Sequence, residues 1–165
     1  MAILIQLLAI IALGIWFSSY HFNSRKTILL VQLLSFVFWI THFILIEAYT
    51  GAALASVAAL RLALFSFKTN TNWIGKPIVM WLFILLLGIS TYFTLESLWG
   101  IAAFVGGVFA IVASWQLNTK KMRVLFIPSH LSWILYDIFS GSIGGAVAEG
   151  ILCLSAIISL LRKRN

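Results

Sequence analysis

The sequence predicts an all-α membrane protein with seven transmembrane helices. Two three-helix repeats of like orientation flank a single linking helix (a 3+1+3 plan), with the N-terminus out and the C-terminus in. Three observations predict this. Of the 165 residues, 62% are hydrophobic and only 9% charged, against about 45–50% and about 25% in soluble domains. That leaves too little polar surface to cover a globule in water, so the chain belongs in a bilayer. The basic residues gather in alternate loops. Finally, the chain repeats itself: "SSYHFNSRK" (Ser18–Lys26) returns as "ASWQLNTKK" (Ala113–Lys121).

Each span needs about 20 apolar helical residues to cross a hydrocarbon core ~30 Å thick. The N-terminal run "MAILIQLLAIIALGIW" lacks the positive region of a secretory signal and reads as a retained helix, Ala2–Tyr20. Thr27–Ala48 and Tyr49–Phe67 follow, separated by the short turn "EAYTG". Pro77–Phe93 is the fourth span and Glu96–Trp115 the fifth. Lys121–Ser140 and Ser142–Leu161 close the chain around a second short turn, "SGSIGG". In both turns glycine, Gly51 in the first and Gly141, Gly144 or Gly145 in the second, is expected to supply the φ freedom of a reversal. Residues 1–165 form one transmembrane domain: 1–67 the first repeat, 77–93 the linking helix, 96–161 the second repeat.

The net charge is +7. Arg25, Lys26, Lys68, Lys76, Lys120, Lys121, Arg123, Arg162, Lys163 and Arg164 all fall in the loops after the odd-numbered spans or in the C-terminal tail. The opposite loops carry Glu47 and Glu96 instead. This asymmetry sets the orientation by the positive-inside rule. It makes anionic lipid headgroups the partner of the basic residues and argues against nucleic acid.

The repeat continues past the loops with a one-residue slip. At a spacing of 94, Ser35/Ser129, Trp39/Trp133, Gly51/Gly145 and Leu60/Leu154 coincide. Three passes leave the chain on the wrong side for a parallel copy, and the fourth span corrects this. Parallel repeats are one of the transporter architectures, with the substrate near the midplane between them.

In the sixth span, "PSHLSWILYD" (Pro128–Asp137) is similar to the Pro…Trp-x-x-Tyr pattern of the SWEET and PnuC superfamily of small-solute transporters. The second span keeps the tryptophan but has "WITH" (Trp39–His42), with His in place of Tyr and no upstream proline. Over nearly the whole chain, "GSIGGAVAEG" (Gly141–Gly150), "HFILIEAYTGAALASVAALR" (His42–Arg61) and the "FNSRK" loop resemble the YgjV family of bacterial inner-membrane proteins. That resemblance implies a multi-pass protein of the bacterial inner membrane.

Polar side chains inside lipid are costly and face a bundle interior or a cavity. Arg61 and Glu149 fall near the midplane on sister helices three and seven and carry opposite charge. They are expected to pair, directly or through one water, as a gate or as a fixed bridge, since a lone buried charge costs several kcal/mol. His42 and Asp137 either form a proton-responsive gate on the outward half or each hydrogen-bond a nearby backbone carbonyl or hydroxyl, and Gln32 lies on the cytoplasmic half of helix two. His130, beside Pro128, is placed either to satisfy a carbonyl freed by the proline or to touch substrate. Trp39 and Trp133, one turn before His42 and Tyr136, are expected either to sandwich a flat or ring-bearing solute, as SWEET-like transporters are thought to do, or to face lipid or pack in the core. Trp16, Trp73, Trp81, Trp99 and Trp115 read as aromatic-belt anchors. Cys153 is a packing residue.

No phosphate-binding loop, nucleophile motif or metal-ligand spacing occurs, so the expectation is neither an enzyme nor a metal or cofactor protein. The function expected is a secondary transporter or facilitator of a small polar solute, with protons the favoured coupling ion. The alternative is a non-transporting receptor, sensor or scaffold on the same fold.

Overall fold

The computed structural model describes residues 2–69 and 71–161. Seven helices follow in order: α1 (Ala2–Ser19), α2 (Arg25–Leu45), α3 (Tyr49–Ser66), α4 (Pro77–Thr94), α5 (Gly100–Trp115), α6 (Thr119–Phe139) and α7 (Ile143–Leu161). No strand occurs among the described residues. By length and composition α2, α3, α4 and α7 suffice to cross a bilayer, and α5 and the Leu7–Ser19 part of α1 are shorter apolar helices. Arg162, Lys163 and Arg164, counted above with the basic tail, lie outside the described residues.

Local chemistry sets the boundaries. The Ser24 hydroxyl accepts from the Thr27 N–H at the start of α2, and the Asn118 side-chain Oδ1 accepts from the Lys120 and Lys121 N–H groups at the start of α6. Pro77 opens α4, where its missing N–H and fixed φ suit a first turn. The starts of α2 and α6, their ends, and the starts of α3 and α7 each lie 94 residues apart. The α1–α2 connection is two residues longer than the α5–α6 connection. The 95-residue match of the two loops is a compromise across that insertion.

The two short turns correct one expectation. After α2 the positive φ falls on Glu47 (φ 60°) and not on Gly51; after α6 it falls on Gly141 (φ 78°), one of that turn's three glycines. Gly51 has a different role. A Cβ there would sit 2.8 Å from the Phe43 ring and 3.0 Å from the Tyr136 hydroxyl, so glycine is what lets α3 approach α2 and α6.

Polar groups define two ends of the bundle. At one, Arg25 of α2 donates to the carbonyls of Phe65 (2.9 Å) in α3 and of Ser114 (2.6 Å) and Gln116 (2.8 Å) at the end of α5. Lys68 Nζ donates to the Trp115 carbonyl (2.7 Å) there and stands 3.4 Å above the Trp115 ring. Arg123 near the start of α6 donates to the carbonyls of Tyr20 and Phe22. We call this the basic end. At the other end, the turn end, the Tyr49 N–H donates to Glu96, Thr50 to the Thr94 carbonyl, and Trp99 stacks on Phe139 at 3.6 Å. Successive helices therefore alternate in direction, and α3 and α7 run the same way.

Helix α2 packs between α1 and α3, and α6 between α5 and α7; α3 meets α5 and α1 meets α7 to close the bundle. Helix α4 covers α3 and α5 from outside, burying Val79, Phe83, Leu87 and Thr91 on one i, i+4 stripe while Ile78, Trp81, Leu82 and Leu85 face out. The surface is inverted relative to a water-soluble protein. Large apolar side chains point outward, while Gln32, His42, Arg61, Arg123, His130, Asp137 and Glu149 are buried.

Candidate functional site

All seven helices contribute to the wall of one internal cavity of about 40 Å³, room for about three waters at 10–15 Å³ each. Its polar lining comprises Arg61 from α3, Glu149 from α7, and Ser129, His130 and Asp137 from α6. Its aromatic lining includes Trp16, Trp39, Phe43 and Trp133.

The expected Arg61–Glu149 pair does not form as a direct contact. Glu149 instead bonds His130, with Nδ1 to Oε2 at 2.5 Å. Glu149 matches position 55 of α3 in the 94-residue register, six residues short of Arg61. In helices running the same way that is ~9 Å along the bundle axis, beyond direct contact. Arg61 is 1% exposed, and its Nε and Nη2 have no hydrogen-bond partner.

His130 does not satisfy a carbonyl freed by Pro128. Its Nδ1 faces Glu149 and its Nε2 faces the Tyr20 hydroxyl at 2.8 Å. The nearby hydroxyl that reaches across helices is Ser129, which donates to the Gly106 carbonyl (2.8 Å) of α5. Gly106 makes that approach possible, since a Cβ there would lie 2.8 Å from Trp133.

His42 and Asp137 come together through an intermediary absent from the sequence reading. His42 Nε2 lies 2.9 Å from the Ser142 hydroxyl, and the Ser142 backbone N–H donates to the Asp137 backbone carbonyl at 2.8 Å. His42 Nδ1 faces the Ile5 carbonyl at 3.1 Å, so that nitrogen carries a proton. Asp137 lines the cavity with its Oδ1 unpartnered. His42 does not reach the cavity, nor does Tyr136, whose hydroxyl accepts from the Gly51 N–H at 2.8 Å. The two side chains are matched in the 94-residue register, and each ties its helix to a partner at the turn end: α2 to the α6–α7 turn, α6 to the first turn of α3. Gln32 is buried away from the cavity and donates to Ser19 at 3.4 Å.

Trp39 and Trp133 both line the cavity, yet the slot expected between them is filled. Phe43 stacks on each at 6.0 Å between centroids. Trp16, assigned above to the aromatic belt, is instead buried in the cavity wall, whereas Trp73, Trp81 and Trp99 are exposed as belt residues would be. Among the described residues no cluster of three or more His, Cys, Asp or Glu could hold a metal ion.

A sequence model of the Imp-YgjV family, described as bacterial inner membrane protein, matches residues 3–165. The chain belongs to this family. It is a multi-pass protein of the bacterial inner membrane. Inner membrane protein YgjV of Escherichia coli strain K12 is 29% identical over 124 residues, which cover 73% of this chain and 63% of that protein. No solved structure matches. In this YgjV-family chain, sequence reading missed Tyr20, Ser142 and Phe43. Tyr20 and Ser142 stood in stretches read as loop and turn, and Phe43 in a run read as apolar filling. The available signal was the register: Ser142 aligns with Ala48, so a hydroxyl appears where the first half has none.

Proposed function

We propose that this chain is a secondary transporter or facilitator of a small polar solute, acting as a carrier rather than an enzyme. It would cross the membrane seven times, as two like-oriented three-helix repeats joined by α4, with the N-terminus outside and the basic end in the cytoplasm. The 94-residue register of helix boundaries and the basic residues gathered at one end support that arrangement. Rocking of the repeats would open the central cavity to each side in turn.

One observation carries the reading: a buried guanidinium with unpartnered nitrogens at an internal cavity. Two unsatisfied buried donors cost roughly 1–3 kcal/mol each, a cost that a solute bearing an acceptor oxygen or a negative charge would remove. Arg61 is the binding group, and Trp39, Trp133 and His130 shape the space around it. The second reading, a non-transporting receptor, sensor or scaffold, is favoured by the cavity's small volume, about 40 Å³, which does not admit a ring-bearing solute without movement.

A thermal-shift screen of the purified protein against small carboxylates and polar metabolites, followed by flux of any hit into proteoliposomes, tests the proposal. A stabilising solute should be carried by wild type and should lose both effects in Arg61→Gln. Binding without flux selects the receptor reading. A hit that is unchanged in Arg61→Gln removes the site.

A further inference from the structure

Two charged residues in the cavity wall keep buried atoms without a hydrogen-bond partner, and the two are complementary. Arg61 of α3 has Nε and Nη2 unpartnered, and Asp137 of α6 has Oδ1 unpartnered. Each residue is 1% exposed. The arginine nitrogens can only donate, and the Asp137 oxygen can accept. They do not satisfy each other. Arg61 lies twelve residues from the start of α3 at the turn end, and Asp137 lies two residues from the end of α6 there. Their backbones are therefore ~15 Å apart along the bundle.

The two arginine nitrogens belong together. Nε–H and the neighbouring Nη2 N–H form one edge of the planar guanidinium, with two parallel donors. That edge matches the two oxygens of a carboxylate and holds them bidentately. Glu149, which lines the same cavity, is occupied by His130 and does not fill it. At the other end, the Asp137 carboxyl packs on Gly145, where a Cβ would lie 2.8 Å from Oδ2. Oδ1 is left for a donor. Trp39, Trp133 and Phe43 line the wall of this cavity, and aromatic faces attract an ammonium.

We propose that the cavity binds a small ω-amino acid as a zwitterion, with its carboxylate side-on against Arg61 and its ammonium against Asp137. The proposal rests on the carrier reading and names its class of solute.

Charge and spacing select this class. A lone anion or cation would add net charge to an interior enclosed by lipid, at a large desolvation cost. A zwitterion adds none and brings each residue the counter-charge it lacks. In an α-amino acid the two charges share one carbon and cannot reach both residues. An arginine side chain and two hydrogen bonds of ~2.9 Å take up part of the ~15 Å offset. The remainder suits a chain of a few methylenes. A second carboxylate in place of the ammonium would meet Asp137, like against like. The cavity of about 40 Å³ has room for about three waters, so the solute enters as the repeats part.

The test measures binding to the whole purified chain in detergent, at neutral pH and constant ionic strength. Dissociation constants come from the rise of melting temperature with ligand concentration. The probes are γ-aminobutyrate, its isomer α-aminobutyrate, and butyrate and butylammonium, which each keep one of its charges. γ-Aminobutyrate should bind at least about tenfold more tightly than each of the other three, the effect of one charge-assisted hydrogen bond. Arg61→Lys keeps the charge but loses the two-donor edge, and should weaken γ-aminobutyrate by about tenfold or more. Asp137→Asn should erase its advantage over butyrate. Butyrate binding wild type as tightly as γ-aminobutyrate overturns the proposal, as does parity of the two isomers or no binding by any probe. These comparisons on wild type need no variant to fold. If butyrate matches γ-aminobutyrate and both are lost in Arg61→Gln, the carrier reading stands with a plain carboxylate as solute. Affinities that Arg61→Gln leaves unchanged remove both.

Discussion

Replacing Arg61 with methionine should make the protein more stable, not less. Arg61 is 1% exposed, and two of its guanidinium nitrogens have no partner. Ordinary buried arginines are held by carboxylates or carbonyls, and losing one leaves its partner orphaned. Here Glu149 is already satisfied by His130, so truncating the charge orphans nothing among the bonds described. Methionine has similar reach, fills the space and needs no partner. Swapping buried charge for a well-packed apolar side chain gains roughly 1–4 kcal/mol in soluble proteins, about five- to a thousand-fold in the folding equilibrium at 1.4 kcal/mol per factor of ten. Unfolding of both proteins in the same detergent, by heat and by denaturant titration, reads the difference. The same variant should lose solute-induced stabilisation, since stability and function pull opposite ways at a binding site. A methionine variant less stable than wild type by more than about 1 kcal/mol would refute the reasoning, because Arg61 would then be a structural anchor and not an unfilled binding group.

Other consequences are independent of the solute. Arg25→Ala strips three carbonyls at the ends of α3 and α5 of their donor. Each is a charge-assisted bond worth roughly 1.5–3 kcal/mol when buried, discounted here for partial exposure. A loss of about 2–4 kcal/mol should appear in detergent unfolding, with Lys26→Ala within about 0.5 kcal/mol of wild type as control. Gly51→Ala should cost about 1–3 kcal/mol by overpacking against Phe43 and Tyr136, whereas Gly14→Ala, with nothing within 4 Å of the added methyl, should not destabilise. Lys68 titrates at about 8, down from its usual 10.5, through desolvation first and the Arg25 charge second. Its folded form sheds the proton earlier than the unfolded chain. Stability therefore rises as pH climbs from about 8 to 10.5. Melting across that window should show a smaller rise in Lys68→Met, and an identical pH dependence in both proteins would sink the assignment.

Much of the architecture was legible because lipid imposes simple rules. Length and apolar content marked the helices, and observed boundaries differ from expected ones by at most four residues, at the start of α5, where Glu96 is drawn off to cap Tyr49. Arg61, His130, Asp137 and Glu149 were legible as interior because ionisable groups cannot face acyl chains. Their partnerships were not. Opposite sign suggested Arg61 with Glu149, but pairing depends on axial offset and azimuth, and the offset is ~9 Å. The tryptophan pair is the same kind of miss. The register gave equal depth to Trp39 and Trp133, while only packing could reveal Phe43 between them. Ser142 and Tyr20 escaped because a hydroxyl in a turn is common, and its reach across helices is a tertiary property.

The central claim is that the cavity opens to both sides of the membrane. Ala58 lines it and is small, so Ala58→Cys in a Cys153→Ser background places a single thiol there. Right-side-out and inside-out vesicles are then treated with a membrane-impermeant maleimide. The account predicts labelling from each face. Labelling from one face alone, or from neither in a folded protein, contradicts it.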